Sequence, residues 1–315
     1  MRRCVVCKGD SIISLYPEKT AFCAVHFNSH FLRQVERAIK EFKMLTPGQR
    51  VFVAVSGGKD SLALWDALLT LGYAAEGFHI DLGIGEHSKD SIEACCKFAQ
   101  DRGARLYIFS VCKNYGKSVT EIARHSRRAT CSVCGTIKRH LMNALARQAG
   151  HTAVATGHNL DDEAATLLGN LLSWQEGYLA RQNPHLPADR TGFPARIKPL
   201  VRLGEAEISA YCRLQLIEPL RGGCPLAKGA SSLTYKEALS RLEEKMPGTK
   251  KRFLFGFLRA SQKKYAYSGV ELGECKICGS PTTAGVCLFC RIMDRAGVDP
   301  LTKLQLEEFS FGHKA

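Results

Sequence analysis

Residues 50–61 read Arg-Val-Phe-Val-Ala-Val-Ser-Gly-Gly-Lys-Asp-Ser. The first half, Arg50–Val55, is an apolar run typical of a parallel strand that is buried on both faces. The second half, Ser56–Ser61, combines two glycines, a lysine and two serines at a point where helical sequence begins. Glycines let backbone N–H groups curve around phosphate oxygens, and the positive end of a helix faces the same anion. This stretch therefore predicts a strand, a phosphate-binding loop and a helix.

The residue types of the loop suit a nucleotide phosphate. Lys59 supplies a cation, and the hydroxyls of Ser56 and Ser61 supply donors. The loop is not a Walker A motif, because Asp60 stands where that motif requires Ser or Thr. Ligands of open parallel sheets bind at the carboxyl ends of strands, which is where this loop lies.

Strands and helices alternate on both sides of the loop. The predicted strands are Arg50–Val55, Ala74–Ile80, Leu106–Val111 and Thr152–Thr156, with Ile197–Leu200 and Ile217 completing the sheet. One predicted helix follows the loop Ser56–Ser61 and ends at Leu71. The other predicted helices are Asn28–Met44, Ser88–Arg102 with Ser88 as its cap, Ser118–Ala129, Cys134–Gln148, Asp161–Leu172, Glu205–Leu214 and Lys236–Lys245. This alternation predicts an α/β fold with a doubly wound parallel sheet. We expect three parts: a zinc finger with its linking helix at 1–45, a catalytic domain at 46–245, and a basic segment with a second zinc finger at 246–315.

The chain contains 14 cysteines. Its N-terminus lacks the apolar core of a secretory signal, and no run of about 18 apolar residues predicts a membrane span. We therefore expect a cytoplasmic protein that does not enter a membrane. In such a reducing compartment cysteines are metal ligands or reactive thiols more often than disulfides.

Two groups of cysteines have the spacing of structural zinc sites. A CxxC pair and a CxxH pair lie near the N-terminus, and two CxxC pairs lie near the C-terminus. The residues are Cys4, Cys7, Cys23 and His26 in the first group, and Cys275, Cys278, Cys287 and Cys290 in the second. Two such turns complete a tetrahedron and leave no open position, so both zinc ions are predicted to be structural.

A third cysteine pair, Cys131 and Cys134, has no second CxxC nearby. The next candidate ligand is Cys224, which follows two glycines. Three thiolates suit a [4Fe–4S] cluster with one iron left open for a small anion. The residues alone also allow a redox dithiol or half of a zinc site. The four remaining cysteines stand in apolar contexts and are interpreted as core: Cys95, Cys96, Cys112 and Cys212.

The chain is strongly basic, with a formal net charge of +14. A soluble chain with this balance usually meets a polyanion, and nucleic acid is a better candidate than an acidic membrane. Two stretches concentrate the charge. They contain Arg124, His125, Arg127, Arg128, Lys138, Arg139 and Arg147, and then Lys250, Lys251, Arg252, Arg259, Lys263 and Lys264 with Phe253, Phe255, Phe257, Tyr265 and Tyr267. Cations position phosphates and aromatics stack bases. The alternative is a solvated basic face over ordinary core aromatics.

The loop Ser56–Ser61 resembles the signature of the PP-loop ATP pyrophosphatases, which bind ATP and transfer AMP to an oxygen. The other motifs narrow the resemblance: both zinc-type sets, Cys131 with Cys134, Thr156–Glu163 (Thr-Gly-His-Asn-Leu-Asp-Asp-Glu) and the late Cys224. Together they resemble the two-zinc-finger tRNA 2-thiouridine synthetases of the TtuA type over nearly the whole chain. Related cytidine 2-thiolases lack the zinc fingers, which favours a uridine target.

The resemblance implies roles for individual residues. The ATP phosphates would lie on Ser56, Gly57, Gly58, Lys59, Asp60 and Ser61. The adenosine would lie against Ala54, His79, Ile80 and Gly157. Cys131, Cys134 and Cys224 would hold the [4Fe–4S] cluster, and Lys138 would contact phosphate or the leaving AMP. Asp161 would be a catalytic carboxylate or Mg²⁺ ligand, or else only the N-cap of its helix.

The resemblance also implies a reaction. ATP and Mg²⁺ would adenylate the C2 oxygen of a tRNA uridine, and a sulfur nucleophile would then displace AMP. The sulfur would come from a ubiquitin-like thiocarboxylate carrier or from sulfide. It would attack from the open iron of the cluster, or else Cys131 and Cys224 would carry it as a persulfide through a disulfide intermediate. A T-loop uridine is favoured over the wobble uridine, and a homodimer is expected. The rival interpretations are a different PP-loop adenylating enzyme and a nucleic-acid-binding iron–sulfur or zinc sensor without turnover.

Overall fold

The computed structural model describes residues 3–15, 20–46, 48–188, 193–227, 231–264 and 273–309, with backbone alone for 261–264. The strands within these ranges are β1 (Ile13–Leu15), β2 (Thr20–Phe22), β3 (Arg50–Ala54), β4 (Ala74–Asp81), β5 (Leu106–Ser110), β6 (Ala153–Thr156), β7 (His185–Leu186), β8 (Ala195–Ile197), β9 (Gly273–Glu274), β10 (Pro281–Thr282) and β11 (Glu307–Glu308). The helices are α1 (Ala24–Glu41), α2 (Lys59–Thr70), α3 (Gly85–Arg102), α4 (Val111–Tyr115), α5 (Val119–Arg124), α6 (Thr130–Gln148), α7 (Leu160–Leu172), α8 (Glu176–Leu179), α9 (Glu205–Leu214), α10 (Ser231–Lys245), α11 (Thr249–Lys264) and α12 (Leu288–Arg295).

The central sheet has the order β11-β5-β4-β3-β6-β8-β7. The five inner strands are parallel, and β7 and β11 close the two edges as antiparallel strands. The chain leaves β3 toward β4 and β5, then returns to place β6 on the other side of β3. This reversal of strand order opens a crevice at the carboxyl end of β3. The predicted doubly wound α/β fold is confirmed.

The centre of the sheet is packed from both faces. Val51, Phe52 and Val53 of β3 are fully buried, as an inner parallel strand requires. Helix α2 buries Trp65 against β4, and its indole N–H donates to the Ala75 carbonyl over 3.1 Å. Gly77 makes this fit possible, because a Cβ there would lie 2.5 Å from the Trp65 ring. The helix that follows the phosphate loop is therefore anchored by an indole to β4, the neighbour of β3 in the sheet.

Several helix boundaries differ from those predicted. Helix α6 begins at Thr130 rather than at Cys134, so Cys131 lies in its first turn and Cys134 at the start of its second. Helix α3 begins at Gly85, and Ser88 is not its N-cap, although the Ser88 hydroxyl accepts the Ile84 N–H over 2.9 Å. Helix α5 ends at Arg124, and the five-residue helix α4 was not predicted.

Both ends of the chain pack on the sheet domain. Phe31 of α1 stacks on Tyr211 of α9 with ring centroids 3.8 Å apart. At the other end, Phe289 of α12 stacks on His140 of α6 at 3.6 Å. Helices α10 and α11 both pack against α7. Within the described residues, no helix combines the length and apolar character needed to span a bilayer.

Candidate functional site

The loop after β3 is held in shape by hydrogen bonds from three directions. The Ser56 N–H donates to Ser61 Oγ over 3.1 Å, and that hydroxyl donates to the Gly58 carbonyl over 2.9 Å. Ser91 Oγ donates to the Ser56 carbonyl over 2.7 Å, and the Leu220 N–H donates to the Gly57 carbonyl over 2.8 Å. The loop is thus fixed by its own helix, by α3 and by the segment before Cys224.

Gly57 is required by this geometry. Its φ of 73° lies in the left-handed region, which favours glycine. A Cβ at this position would also lie 2.8 Å from the Ser91 carbonyl oxygen. The loop can therefore keep its curvature only with glycine here.

A cavity of about 520 Å³ opens above the loop. It is lined by most residues to which the resemblance gives a role: Ala54, Ser56, Gly58, Asp60, Ser61, His79, Ile80, Cys134, Lys138, Gly157 and Cys224. Four of the predicted residues do not line it, namely Gly57, Lys59, Cys131 and Asp161. The structure thus brings the phosphate loop and two of the three candidate cluster cysteines to one space.

The Lys59 ammonium forms a salt bridge with the carboxylate of its neighbour Asp60. The ammonium lies 3.0 and 2.9 Å from the two carboxylate oxygens of Asp60, and Asn159 Nδ2 donates to the same carboxylate over 3.1 Å. Asp60 therefore neutralises the lysine in the absence of an anion. A bound phosphate would compete with Asp60 for Lys59 and would leave the Asp60 oxygens free for a cation.

The side of the cavity that contains His79 and Gly157, predicted to lie against adenosine, is held by fixed contacts. His79 is buried, with Nδ1 2.9 Å from the Val55 carbonyl oxygen, and burial lowers the pKa of its ring, so the imidazole is neutral near pH 7. Gly157 lies against the start of α2, where a Cβ would be 2.8 Å from the Asp60 carbonyl carbon and from the Ser61 nitrogen. The absence of a side chain at 157 keeps the two elements in contact.

The acidic pair at the start of α7 divides into two environments. The N-cap is Asn159, which forms a capping box with Asp162, so the cap role considered for Asp161 is wrong. Asp161 is buried away from the cavity, where it accepts the Glu205 N–H over 2.9 Å and pairs with Lys250. Asp162 lines the cavity and forms a salt bridge with Lys236. Asp162, which was not among the predicted site residues, is the carboxylate of the pair that reaches the cavity.

Cys131 and Cys134 lie on one side of α6, with the Cys224 segment opposite. Cys131 is exposed, and its thiol donates to the Leu226 carbonyl over 2.8 Å, which ties it to the turn that follows Cys224. Burial raises the pKa of the Cys134 thiol, while the charge of Lys138 acts in the opposite direction. An added positive charge at these sulfurs would therefore be needed to hold Cys134 as a thiolate.

These three sulfurs are not drawn together around a point. Among the described residues, only two groups of three or more His, Cys, Asp or Glu side chains have ligand atoms that all lie within 4.8 Å of one another, and neither group contains these three cysteines. A single ion requires such close approach, whereas a four-iron cubane spaces its thiolates further apart. Three thiols on two facing segments, one of them exposed, fit an iron–sulfur cluster better than a zinc ion.

The two sets with converging ligand atoms are the predicted zinc sites: Cys4, Cys7, Cys23 and His26, and Cys275, Cys278, Cys287 and Cys290. In the second set the Cys287 N–H donates to the Cys275 sulfur over 3.2 Å. Burial raises the pKa of Cys275, but this and other backbone N–H groups outweigh burial and hold it at about 6. Both sets therefore fit a tetrahedral zinc ion.

The similarity of this chain to known proteins identifies its family. A family described as the PP-loop domain matches residues 27–218. The tRNA-5-methyluridine(54) 2-sulfurtransferase of Thermus thermophilus is 50% identical over 292 residues, covering 92% of this chain and 91% of the relative. That of Pyrococcus horikoshii is 41% identical, covering 92% and 93%. The chain belongs to the PP-loop tRNA 2-sulfurtransferase family. The family predicted from the motifs is confirmed.

A solved structure of this family shares the whole architecture. The U34-tRNA thiolase NcsA from Methanococcus maripaludis, with its [4Fe–4S] cluster, superposes with a TM-score of 0.78 at 25% identity, covering 93% of this chain and 96% of that one. The similarity extends beyond the PP-loop domain to nearly the full length of both chains. A tRNA thiolase carrying an iron–sulfur cluster is thus built on the same fold.

The side chains of the two basic stretches lie in different surroundings in this 2-sulfurtransferase. Arg139 and Arg147 on α6 are exposed. On α11, Lys250 is engaged by Asp161, and Phe253 and Phe255 pack against the hydrophobic core. Both phenylalanines are half-buried, and their packing supports the alternative of core aromatics for them. Tyr265 and Tyr267 lie outside the described residues.

Proposed function

We propose that this chain uses ATP to adenylate the C2 oxygen of a tRNA uridine and then replaces that oxygen with sulfur. The observation that supports this most strongly is the shared cavity, in which the phosphate loop faces Cys134 and Cys224. The favoured target is the T-loop uridine at position 54, because the relatives at 41–50% identity carry that position in their names.

ATP would bind with its phosphates on the loop Ser56–Ser61 and its adenosine against Ala54, His79 and Ile80. Lys59 would exchange Asp60 for a phosphate oxygen. Asp162 and the released Asp60 then offer carboxylate oxygens to Mg²⁺, which prefers such ligands with phosphate. In this proposal Asp162 takes the role predicted for Asp161.

The uracil C2 oxygen would attack the α-phosphorus of ATP, forming the O–P bond and releasing pyrophosphate. Sulfur would then add to C2, and the C2–O bond would break to release AMP. A [4Fe–4S] cluster bound by Cys131, Cys134 and Cys224 would supply an open iron site for the sulfur. Lys138 lines the same cavity one helical turn after Cys134, and its ammonium would stabilise the negative charge that develops on AMP.

The remaining partners are part of the same proposal. The chain would bind two structural zinc ions, take sulfur from a ubiquitin-like thiocarboxylate carrier or from sulfide, and act as a homodimer. We propose a cytoplasmic site of action, in line with relatives named as cytoplasmic tRNA 2-thiolation proteins. The second candidate function is thiolation of the wobble uridine, which the similarity to the U34-tRNA thiolase supports.

The test is reconstitution without oxygen. The chain is loaded with iron and sulfide and incubated with ATP, Mg²⁺, sulfide and unmodified tRNA, and the digested tRNA is analysed by nucleoside mass spectrometry. We expect a 2-thiouridine-type nucleoside, lost in Cys131→Ala and retained in Cys96→Ala, a half-buried cysteine on α3 away from the cavity. A fully loaded chain that releases no AMP in response to tRNA would contradict the proposal.

A further inference from the structure

Three arginines, Arg139, Arg181 and Arg196, lie near one another. Arg196 of β8 donates from Nη2 to the Arg139 carbonyl over 3.2 Å and to Asn143 Oδ1 over 2.8 Å. Arg181 lies close enough for its charge to act on Arg196. Within the parts of the chain that the structure describes, none of these three arginines forms a salt bridge. Three positive charges therefore lie near one another, and the partners of the Arg196 guanidinium are a neutral carbonyl and a neutral amide.

This group adjoins the cavity. Arg139 directly follows Lys138, which lines the cavity, and Arg196 lies two residues before Lys198 on an extended segment, so the two side chains share a face. Lys198 donates to Glu163 of α7 over 2.8 Å, and Asp162 of the same helix lines the cavity. The face that carries Arg196 and Lys198 thus leads to α7 at the edge of the cavity.

Holding the arginines together is unfavourable in the free chain. Burial, followed by repulsion from Arg139 and Arg181, lowers the pKa of Arg196 to about 10. A guanidinium forms its strongest hydrogen bonds with planar or tetrahedral oxyanions such as phosphate. A bound phosphate would remove the repulsion that the free chain carries.

Exposed aromatic side chains precede Arg181 in the same connection. Trp174 is 76% exposed and Tyr178 is 65% exposed, next to Leu172 at the end of α7. Trp174 also has a φ of 47°, a left-handed conformation that is costly for a bulky residue. A large ring held in solvent by an unfavourable backbone is typical of a binding surface rather than of packing.

We propose that Arg139, Arg181 and Arg196 bind backbone phosphates of the tRNA strand that carries the target uridine, and that Trp174 stacks on an unpaired base beside it. Recognition of RNA loops combines these two elements, cations on phosphates and aromatic rings on unstacked bases. This inference rests on the proposed tRNA substrate and assigns the residues that dock it.

The charge argues for RNA rather than for a second copy of the chain. A two-fold symmetric contact brings the same patch of both copies together, so the arginines would face one another. The net charge of +14 adds to that repulsion. An RNA strand instead brings one negative charge with each nucleotide, and the counterions released on binding favour the complex.

The test measures equilibrium binding of unmodified tRNA to the cluster-loaded chain by fluorescence anisotropy over a series of salt concentrations. Arg139→Ala and Arg181→Ala remove exposed side chains, so their folding is preserved. Each is expected to raise Kd roughly fivefold or more and to reduce the slope of log K against log salt by about 1. Trp174→Ala should raise Kd by about fivefold or more with an unchanged slope.

The matched control is Arg37→Ala, an exposed arginine on α1 that pairs with Glu41, and it should leave Kd within about twofold of the wild type. Kd values and slopes equal to those of the control in all three variants would overturn the inference. A change confined to the oligomeric mass in light scattering would also overturn it and would assign the surface to a second copy. Failure of the proposed function would appear separately, as absence of a thionucleoside from the wild-type chain at saturating tRNA.

Discussion

Gly157→Ala is the substitution whose effect follows most directly from the geometry of the ATP site. The new methyl group would lie 2.8 Å from the Asp60 carbonyl carbon, 2.8 Å from the Ser61 nitrogen and 3.0 Å from the Asp60 carbonyl oxygen. All three atoms belong to the backbone of the phosphate loop, so no side chain can rotate away. The start of α2 must move instead.

The cost can be estimated from similar substitutions. One extra methyl group forced into a packed site costs about 1 to 3 kcal/mol. Without ATP, the variant relieves this strain by displacing the loop. ATP binding must return the loop to its original position, so the same free energy opposes binding. With about 1.36 kcal/mol per tenfold change, the Kd for ATP rises between about fivefold and about 150-fold.

The assay is calorimetric titration of the chain with a non-hydrolysable ATP analogue and Mg²⁺. Gly256→Ala is the control, since no atom lies within 4 Å of a Cβ at that position and its φ is negative. An unchanged Kd in Gly157→Ala would refute the reasoning. In that case ATP does not bind against the junction of β6 and α2.

Three further predictions concern the carboxylates, pH and metal. Asp162→Asn should lower tRNA-dependent AMP release by about 100-fold or more with little loss of stability. Asp161→Ala should instead leave Lys250 buried without its partner and lower the free energy of unfolding by about 3 kcal/mol in denaturant titrations. Burial lowers the pKa of His140 to about 4. The neutral ring therefore contributes stability that is complete above about pH 6.5 and is lost as the pH falls toward 4. In urea titrations, His140→Phe should reduce the loss of unfolding free energy between pH 7 and pH 5 by about 2 kcal/mol. Metal analysis should find two zinc ions per chain, falling to one in Cys287→Ser, and equal zinc content in both proteins would contradict that site.

The sequence predicted the centre of the fold well, for a physical reason. Arg50–Ala54 and Ala74–Asp81 are inner parallel strands, which bury both faces and therefore read as apolar runs. Short elements at the edge gave no such pattern. The helix Val111–Tyr115 spans five residues, and the edge strand His185–Leu186 spans two, too few for any periodicity.

The site was predicted in its residue types and less well in its orientations. The segment that contains Asp161 and Asp162 places two carboxylates next to each other, and only the helix phase set by the Asn159 cap decides which one faces the cavity. Arg139, Arg181 and Arg196 come from three separate elements, and no sequence spacing relates them. Such a group is visible only once the fold has brought it together.

The position of the sulfur in the product tests the central claim most directly. Unmodified tRNA would be thiolated by the reconstituted chain, cut with a nuclease into fragments and mapped by mass spectrometry, alongside tRNAs in which uridine 54 or uridine 34 is replaced by cytidine. We predict one added sulfur in the T-loop fragment, which disappears when uridine 54 is replaced and persists when uridine 34 is replaced. Sulfur in the anticodon fragment instead would contradict the assignment to the T loop, and a tRNA without added sulfur would contradict thiolation itself.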